Sequence, residues 1–553
     1  MADQLTTEQV LLLNNLMYTS DKPPLKGIAN TDAKTVGEFV ESINTANLDG
    51  DKNYGSYMTG DDWNQIIEAV KNDPQLMDVE IVQTHVADQA DGGGVSALFV
   101  DPSTNEAVVT FRGTASLEWK DNFIGGGPTD AADGVSTPFQ EDALEWYQSL
   151  DLDQYSSITV TGHSKGGNKA KYITVLDDSV DRCLSFDGQG FSDEFYDVYQ
   201  DQIAANQDKI TNKNVEGDYV NILLNDIGET NYYQGFDYGE GGFLENHCPN
   251  TFLNFNSDGT FQMVPGTQDE RLATVDQFLN SYLRSLSPED KQEALAMIGE
   301  MVEGGFNGAD VNDILDILLE DNNVDHAAYL AAYLLKYQEA HPELVDALNS
   351  VLSDMGMDDI VDIVNTVVDV ANSEYFDELL DAAGWLSGYI PDFAYEWLQD
   401  YLKDKGIDLS VEELKKLVSM LQTAADEMDG INPYGFGHDR IDKETLEERL
   451  NSLRKGRSVA GGTSGFSIDI QRNRLEENML LQCSKELKKY AEKIDDICDG
   501  LDPSMAIIKV ALKGIINAVE KEAKDCQSMK DTLYEIHNCY EKTEKKLAAT
   551  SAN

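Results

Sequence analysis

Basic residues are scarce in this chain of 553 residues: 41 lysines and arginines stand against 101 aspartates and glutamates, for a formal net charge of −60. Such an acidic surface repels phosphates, which argues against nucleic acid as a partner and against long-range attraction to anionic membranes. The hydrophobic share of 41% is ordinary for a globular protein, so a well-buried core is expected. The length predicts about three domains.

Long apolar runs are also missing, and no stretch approaches the roughly 20 residues that a helix needs to cross a bilayer. The first residues carry neither a basic segment nor an apolar segment followed by a small-residue cleavage site. Residues 6–18 are instead predicted to form an amphipathic helix of the mature fold. We therefore expect a protein that is either exported without a cleavable signal peptide or retained in the cytoplasm.

Cysteine is rare as well: six residues are present, four of them in the last fifth of the chain. None shows the C-x-x-C spacing typical of a metal site, and buried free thiols are favoured over a disulfide pair. The sequence therefore predicts neither a metal nor a cofactor.

Between residues 79 and 255, short apolar runs alternate with helical stretches, a pattern that predicts a mainly parallel sheet covered by helices, the α/β class. Helices are expected at 137–150, opened by a Thr137-Pro-Phe-Gln start signal, and at 169–176. Strands are expected at 97–100, 107–111, 158–161, 183–186 and 219–224.

Four segments follow from these patterns. Residues 1–266 are predicted to form the α/β domain, and residues 267–430 an acidic helical region that packs on it or caps it. Plain helical packing is favoured over a membrane-active cap. Turn residues predict a flexible linker at 431–466, and two amphipathic stripes predict a helical hairpin within 467–553.

The clearest chemical motif is Gly162-His-Ser-Lys-Gly-Gly, which directly follows a predicted strand and precedes a predicted helix. This is the context of a nucleophile elbow, in which flanking glycines permit a tight turn that exposes the serine hydroxyl. Ser164 is therefore the candidate nucleophile, and the sequence predicts an α/β-hydrolase core.

A nucleophilic serine needs a histidine base held by a carboxylate, in the order serine, acid, histidine in this fold. Among seven histidines, His247 alone lies between the elbow and the helical region. Two acids compete: Asp187 follows the strand after the elbow helix, and Asp226 follows the next predicted strand. Because the acid of this fold usually follows the later strand, Asp226 is chosen.

An oxyanion hole needs backbone N–H groups from the residue after the nucleophile and from an earlier strand-to-helix loop. Lys165 supplies the first. Phe111-Arg-Gly-Thr ends a predicted strand before the elbow, so Thr114 is the candidate for the second.

These motifs together resemble the class 3, or fungal-type, lipase family. Phe111-Arg-Gly-Thr, Trp119-Lys-Asp-Asn-Phe, the elbow and Asn225-Asp-Ile carry the resemblance, and Phe186-Asp-Gly-Gln-Gly-Phe is similar to its bacterial lipase-like branch. Over residues 1–265 the resemblance implies an acyl-ester substrate and a triad of Ser164, His247 and Asp226, with Thr114 in the oxyanion hole. Class 3 lipases commonly carry leucine at the position of Lys165.

The tail resembles the helical targeting domains of type VII secretion substrates, including LXG-type toxins. Phe466-Ser-Ile-Asp-Ile leads into a long amphipathic helix, and Tyr540-Glu-Lys-Thr-Glu matches a Tyr-x-x-x-acidic export signal. The resemblance implies small helical export or chaperone partners on residues 467–549, and an immunity protein is a further expected partner.

Three functions are carried forward. The first is a secreted lipase or phospholipase effector, and the second is a cytoplasmic acyl esterase whose C-terminal helices mediate assembly. The third is a non-enzymatic interaction protein on a hydrolase scaffold.

Overall fold

The computed structural model describes residues 4–371, apart from 20–22, 57, 87–93, 115–118, 236–245, 257–258, 307 and 321, together with isolated positions between 399 and 530. The chain divides into two compact units, Met1–Asp442 and Lys443–Asn553. The linker predicted at 431–466 lies outside the described residues, as does the hairpin predicted in 467–553, apart from isolated helical positions.

A single large sheet forms the centre of the first unit. Within the described residues it holds seven strands in chain order, with β1–β3 antiparallel and β3–β7 parallel. A mostly parallel sheet flanked by helices is the predicted α/β-hydrolase architecture, which is therefore confirmed. The strands are β1 Glu80–Val86, β2 Val95–Asp101, β3 Glu106–Phe111, β4 Ser157–His163, β5 Arg182–Phe186, β6 Ile210–Val215 and β7 Glu229–Tyr233. A separate hairpin pairs β8 Asn254–Phe255 with β9 Phe261–Gln262.

Helices cover both faces of this sheet because successive strand residues point to opposite sides. In β2, Ala97 and Phe99 join one buried apolar cluster, whereas Leu98 and Val100 join the other. The first face packs against α1 Thr7–Leu16, α2 Val36–Glu41, α3 Gly60–Lys71 and α4 Pro74–Asp78. The second packs against α6 Pro138–Ser149, α7 Lys165–Leu176, α8 Asp193–Val198 and α9 Gln200–Asn206, and the short α5 Trp119–Ile124 follows β3.

Local signals set several of these boundaries as predicted. Thr6 caps α1, and Thr137 caps α6 with Pro138 at its first position and Gln140 closing the capping box. Residues 102–105 form the turn between β2 and β3. Helix α7 begins at Lys165, four residues earlier than predicted, directly after the elbow serine.

One predicted strand is wrong. Residues 219–224 form turns, and the strand lies upstream at β6, whose polar sequence Ile210-Thr-Asn-Lys-Asn-Val pairs with β5 and β7. The apolar run at 219–224 packs sideways instead. Ile222 joins a buried cluster with Leu272 and Val275 of the following helical region.

The predicted acidic helical region is confirmed over its described part, where it packs against the hydrolase core. Lys291 forms an ion pair with Glu194 at 2.7 Å, and Arg284 forms one with Asp193 at 3.2 Å. Within the described residues, no helix combines the length and apolar content needed to cross a bilayer. The helices are α10 Glu270–Ser285, α11 Pro288–Phe306, α12 Val311–Leu318, α13 Val324–Ala340, α14 Leu344–Asp354 and α15 Asp358–Ala371.

Candidate active site

Ser164 occupies a strained turn between β4 and α7. Its φ of 61° and ψ of −130° lie in a region that non-glycine residues rarely adopt. The flanking glycines make this turn possible: a Cβ on Gly162 would lie 2.2 Å from the Gly166 carbonyl, and a Cβ on Gly166 would lie 2.0 Å from the Phe111 carbonyl oxygen. Only glycine therefore fits at both positions, where backbone segments approach each other too closely for a side chain, as a nucleophile elbow requires.

His247 meets this serine. Its Nε2 lies 2.7 Å from the Ser164 hydroxyl oxygen, and its Nδ1 contacts the carboxylate of Asp218. With a proton on Nδ1, the ring donates to Asp218 and accepts the serine proton on Nε2, the arrangement that activates a serine nucleophile. The structure thus brings together Ser164 and His247, as predicted, and adds an acid that sequence analysis missed.

Asp218 is fully buried and held from two sides. One carboxylate oxygen accepts the backbone N–H groups of Val220 at 2.7 Å and Asn221 at 2.8 Å, and the other faces His247. Hydrogen bonds from backbone amides favour the charged form of a carboxylate. The turn after β6 therefore fixes the Asp218 carboxylate in orientation and leaves one oxygen for the imidazole.

The choice of Asp226 as the partner of His247 is wrong. Its carboxylate forms an ion pair with Lys171 of α7, whose buried ammonium also donates to the carbonyl of Gly188 at 3.1 Å. A buried ammonium requires such a counter-charge. Asp226 is consequently committed to neutralising Lys171.

The other candidate acid, Asp187, lies behind the elbow. Its carboxyl accepts the backbone N–H of Val215 at 2.7 Å, and Oδ2 lies 4.0 Å from Nε2 of His163. Burial, reinforced by the negative charge of Asp218, raises the pKa of Asp187 well above its usual range. Burial, reinforced by the neighbouring His247, lowers the pKa of His163 well below its ordinary value, so the His163 ring is neutral near pH 7.

The oxyanion side is built by the loop after β3. A Cβ on Gly113 would lie 2.9 Å from the Cβ of Ser164, so the loop and the nucleophile are in direct contact. The Gly113 N–H donates to the Tyr18 hydroxyl at 3.1 Å, and this hydroxyl lies 2.7 Å from Nδ1 of His163. Tyr18, which sequence analysis did not select, therefore connects the N-terminal segment to both the loop and the elbow.

Thr114 and Lys165 occupy the two predicted oxyanion positions. Thr114 follows Gly113 at the loop end, and its hydroxyl accepts the side-chain amide of Asn122 at 3.1 Å. Lys165 is the first residue of α7, where a backbone N–H has no partner within its own helix. Its side chain points elsewhere: the ammonium lies 2.6 Å from Asp121, and both groups are buried.

The positions of the two helices before β6 could have located Asp218 from the sequence. Ser192 caps α8, and α9 continues to Asn206. After a helix, a parallel sheet needs its next strand within a few residues. That places a strand near 210–215 despite its polar composition, and Asp218 is the first acid beyond the following Glu216-Gly217 turn.

Metal ligands are not gathered in the described part of the chain, where no group of three or more His, Cys, Asp or Glu side chains could hold an ion. Cys183 and Cys248 are buried, and Cys248 donates through Sγ to the Ser56 carbonyl at 3.1 Å. The other four cysteines lie outside the described residues.

Comparisons with known proteins give matches to solved lipase structures at low sequence identity and low TM-score. A lipase from Yarrowia lipolytica aligns at 14% identity over 48% of this chain and 84% of its own, with a TM-score of 0.29. A mono- and diacylglycerol lipase from Aspergillus oryzae aligns at 14% identity over 48% and 87%, with a TM-score of 0.27. No curated protein matches the chain. Residues 74–298, which hold the sheet and the candidate site, match the lipase-like family described as Mbeg1-like.

Proposed function

We propose that the protein is a serine hydrolase of carboxylic esters. The observation that carries the proposal is the hydrogen-bonded series from Asp218 through His247 to Ser164, with the serine on a strained turn at the carboxyl end of β4. Strain at such a position persists only when the surrounding structure enforces it, and it is typical of active sites.

The reaction follows from the position of each group. His247 removes the proton from Ser164 as the hydroxyl oxygen attacks the ester carbonyl, and Asp218 stabilises the imidazolium that forms. The backbone N–H groups of Lys165 and Thr114 stabilise the negative charge on the carbonyl oxygen. His247 then returns the proton to the leaving alcohol, and water hydrolyses the acyl-enzyme by the same route.

The decisive experiment is hydrolysis of an ester panel that includes short-chain nitrophenyl esters, glycerides and phospholipids. We expect turnover of at least one class and a loss of at least about a thousand-fold in kcat for Ser164→Ala, since removal of the nucleophile eliminates the covalent route. Ser42→Ala is the matched control, because Ser42 is an exposed residue whose hydroxyl donates to the Phe39 carbonyl at 2.7 Å and takes no part in the proposed series.

The panel also separates the catalytic proposal from a binding role on a hydrolase scaffold. Equal turnover by the wild type and Ser164→Ala on every ester would remove the catalytic proposal.

The secreted effector role is a finer proposal and rests on the sequence of the tail alone. We propose that residues 467–549 recruit small helical partners for export. Deleting the tail should leave ester hydrolysis intact and should abolish appearance of the protein in culture supernatant. Normal secretion of the truncated chain would refute the export role of the tail, whereas absence of the full-length chain from the supernatant would favour the cytoplasmic esterase.

A further inference from the structure

Helix α5 follows the loop after β3, which we call the oxyanion loop. Side-chain contacts attach α5 to the elbow. Asp121 of α5 forms an ion pair with the Lys165 ammonium at 2.6 Å, and only 4% and 1% of the two residues are exposed. The same carboxylate accepts the Thr137 hydroxyl at 2.7 Å, which anchors it to the start of α6. The residue that follows the nucleophile therefore holds α5 through its side chain.

A second pair of bonds ties α5 to the loops beside the nucleophile. Asn122 donates from its side chain to Thr114 at 3.1 Å, and its carbonyl accepts the Gln189 amide at 3.4 Å. The candidate oxyanion residue and α5 are thus linked directly.

The outer side of α5 is covered by α11 of the acidic helical region. A Cβ on Gly299 would lie 3.1 Å from the Phe123 ring, and a Cβ on Gly126 would lie 2.9 Å from the Leu295 side chain. These contacts are too close for an added methyl group. Helix α11 is in turn attached to the core by the Lys291–Glu194 ion pair, in which Lys291 is 4% exposed.

Movement of α5 away from the site would cost a large amount of free energy. It would separate Lys165 from Asp121 and leave two buried charges without partners, which is costlier than breaking a surface pair. It would also require displacement of α11. In an enzyme whose site must open before reaction, the mobile segment makes few buried contacts. Helix α5 instead makes several.

We propose that α5 is a fixed wall of the active site, held by the Lys165–Asp121 pair and by α11, so that the hydrolase acts on dissolved esters without any opening of α5. The inference rests on the proposed ester hydrolysis and narrows its substrate class. A preformed oxyanion side avoids reorganisation at the moment of reaction.

A reversible cross-link tests immobility. The Cβ of Phe123 and the ideal Cβ of Gly299 are 3.6 Å apart, within the range of about 3.5–4.5 Å that a disulfide spans. In the double variant Phe123→Cys/Gly299→Cys, we expect kcat of the oxidised form within about two-fold of the reduced form. Each single variant and the wild type, oxidised and reduced in the same way, control for the native cysteines. A loss of ten-fold or more that reductant restores would overturn the proposal.

The second measurement uses the wild type and does not depend on folding of any variant. The rate on a short-chain ester is followed from well below to well above its solubility limit. We expect smooth saturation through the limit. An abrupt rise at the limit would overturn the fixed wall while leaving ester hydrolysis established. Absence of any turnover on dissolved and dispersed ester would instead refute the proposed function together with this inference.

Discussion

Asp187 and Asp218 are joined by one residue, Asn221, whose backbone N–H donates to Asp218 and whose side-chain amide donates to Asp187 at 3.0 Å. The two carboxyls have different tasks. Asp218 orients His247, whereas burial and the neighbouring charge of Asp218 raise the pKa of Asp187 well above its usual range. The raised pKa favours the protonated form of Asp187, which supports the turn that carries Asp218 without placing a second charge beside it.

Replacing the acid that faces the histidine should affect rate, not folding. In Asp218→Asn, the side-chain oxygen can still accept the two backbone N–H groups, but the amide presents a donor to His247 and favours the wrong tautomer. We expect kcat to fall by about 10⁴-fold with a small change in KM. Steady-state kinetics and thermal unfolding on the same preparation measure both effects.

Asp226→Asn is the matched comparison and should behave in the opposite way. It removes the counter-charge of the buried Lys171 ammonium, so the melting temperature should drop while the rate per folded molecule stays within a few fold. A rate collapse in Asp226→Asn with normal turnover in Asp218→Asn would contradict our assignment of the acid.

The raised pKa of Asp187 can be tested by substitution. A raised pKa favours the protonated carboxyl, which an amide matches closely in shape, so Asp187→Asn should retain most activity and stability. Asp187→Ala removes the acceptor of the Val215 N–H and one of the two acceptors of the Asn221 amide, which also donates to the Val215 carbonyl. The loss should destabilise the fold by roughly 1–3 kcal/mol for each unsatisfied donor. Chemical denaturation of the two variants side by side measures the difference, and equal destabilisation would argue for an ionised Asp187.

Tyr18→Phe tests the bridge between the oxyanion loop and the elbow. Loss of the hydroxyl leaves the Gly113 N–H and the His163 ring without this partner, so the loop should be less well held. We expect about a ten-fold lower kcat with KM nearly unchanged, since the loop acts on the transition state. Tyr54→Phe is the control, because it also loses a buried hydroxyl that bonds a backbone N–H, that of Asp49. An equal fall in kcat for both variants would show that losing a buried hydroxyl lowers activity by a general loss of rigidity and not through the oxyanion loop.

Asp276 should make stability depend on pH. Burial and the negative charge of Asp226 raise the pKa of Asp276 from 3.8 to about 7, while Asn280 and Arg284 act in the other direction. Between about pH 4 and 7 the folded state therefore binds the proton that the unfolded state has lost. The contribution of this carboxyl to stability is complete below pH 4 and is lost as the pH rises to 7.

Asp276→Asn keeps a neutral acceptor for Asn280 and removes this titration. Its unfolding free energy relative to wild type should increase more at pH 8 than at pH 5, by on the order of 2 kcal/mol. Denaturant unfolding of both proteins at the two pH values measures the difference. A gain that is the same at both values would mean that Asp276 titrates normally.

The elbow could be located from sequence because its requirements are local. Six consecutive residues contain the strand end, the strained serine, the glycines that allow the crossing and the helix start, so no distant contact is needed to identify them. The caps of α1 and α6 are equally local. His247 also followed from the sequence, by elimination among few histidines.

The acid could not be located in this way because it depends on which segment enters the sheet. Polar β6 is stable between two strands since its backbone is paired on both sides and Asn212 donates to the Ile227 carbonyl at 2.9 Å. The apolar run at 219–224 satisfied the sequence criteria for a strand better, yet Ile222 is buried against α10 and α14. Apolar residues gain burial on any apolar surface, so hydrophobicity alone does not distinguish the sheet from a helix face.

The sequence by itself thus determined the fold class and indicated Ser164 and His247 as the candidate nucleophile and base, because short-range backbone geometry and rare residue types encode them. Tertiary structure alone decided the pairing of Asp218 with His247 across 29 positions, the pairing of Asp226 with Lys171, the support of the oxyanion loop by Tyr18, and the packing of α11 on α5. Each of these contacts joins segments far apart in the chain, and their energies depend on burial and on charges that only the folded core brings together.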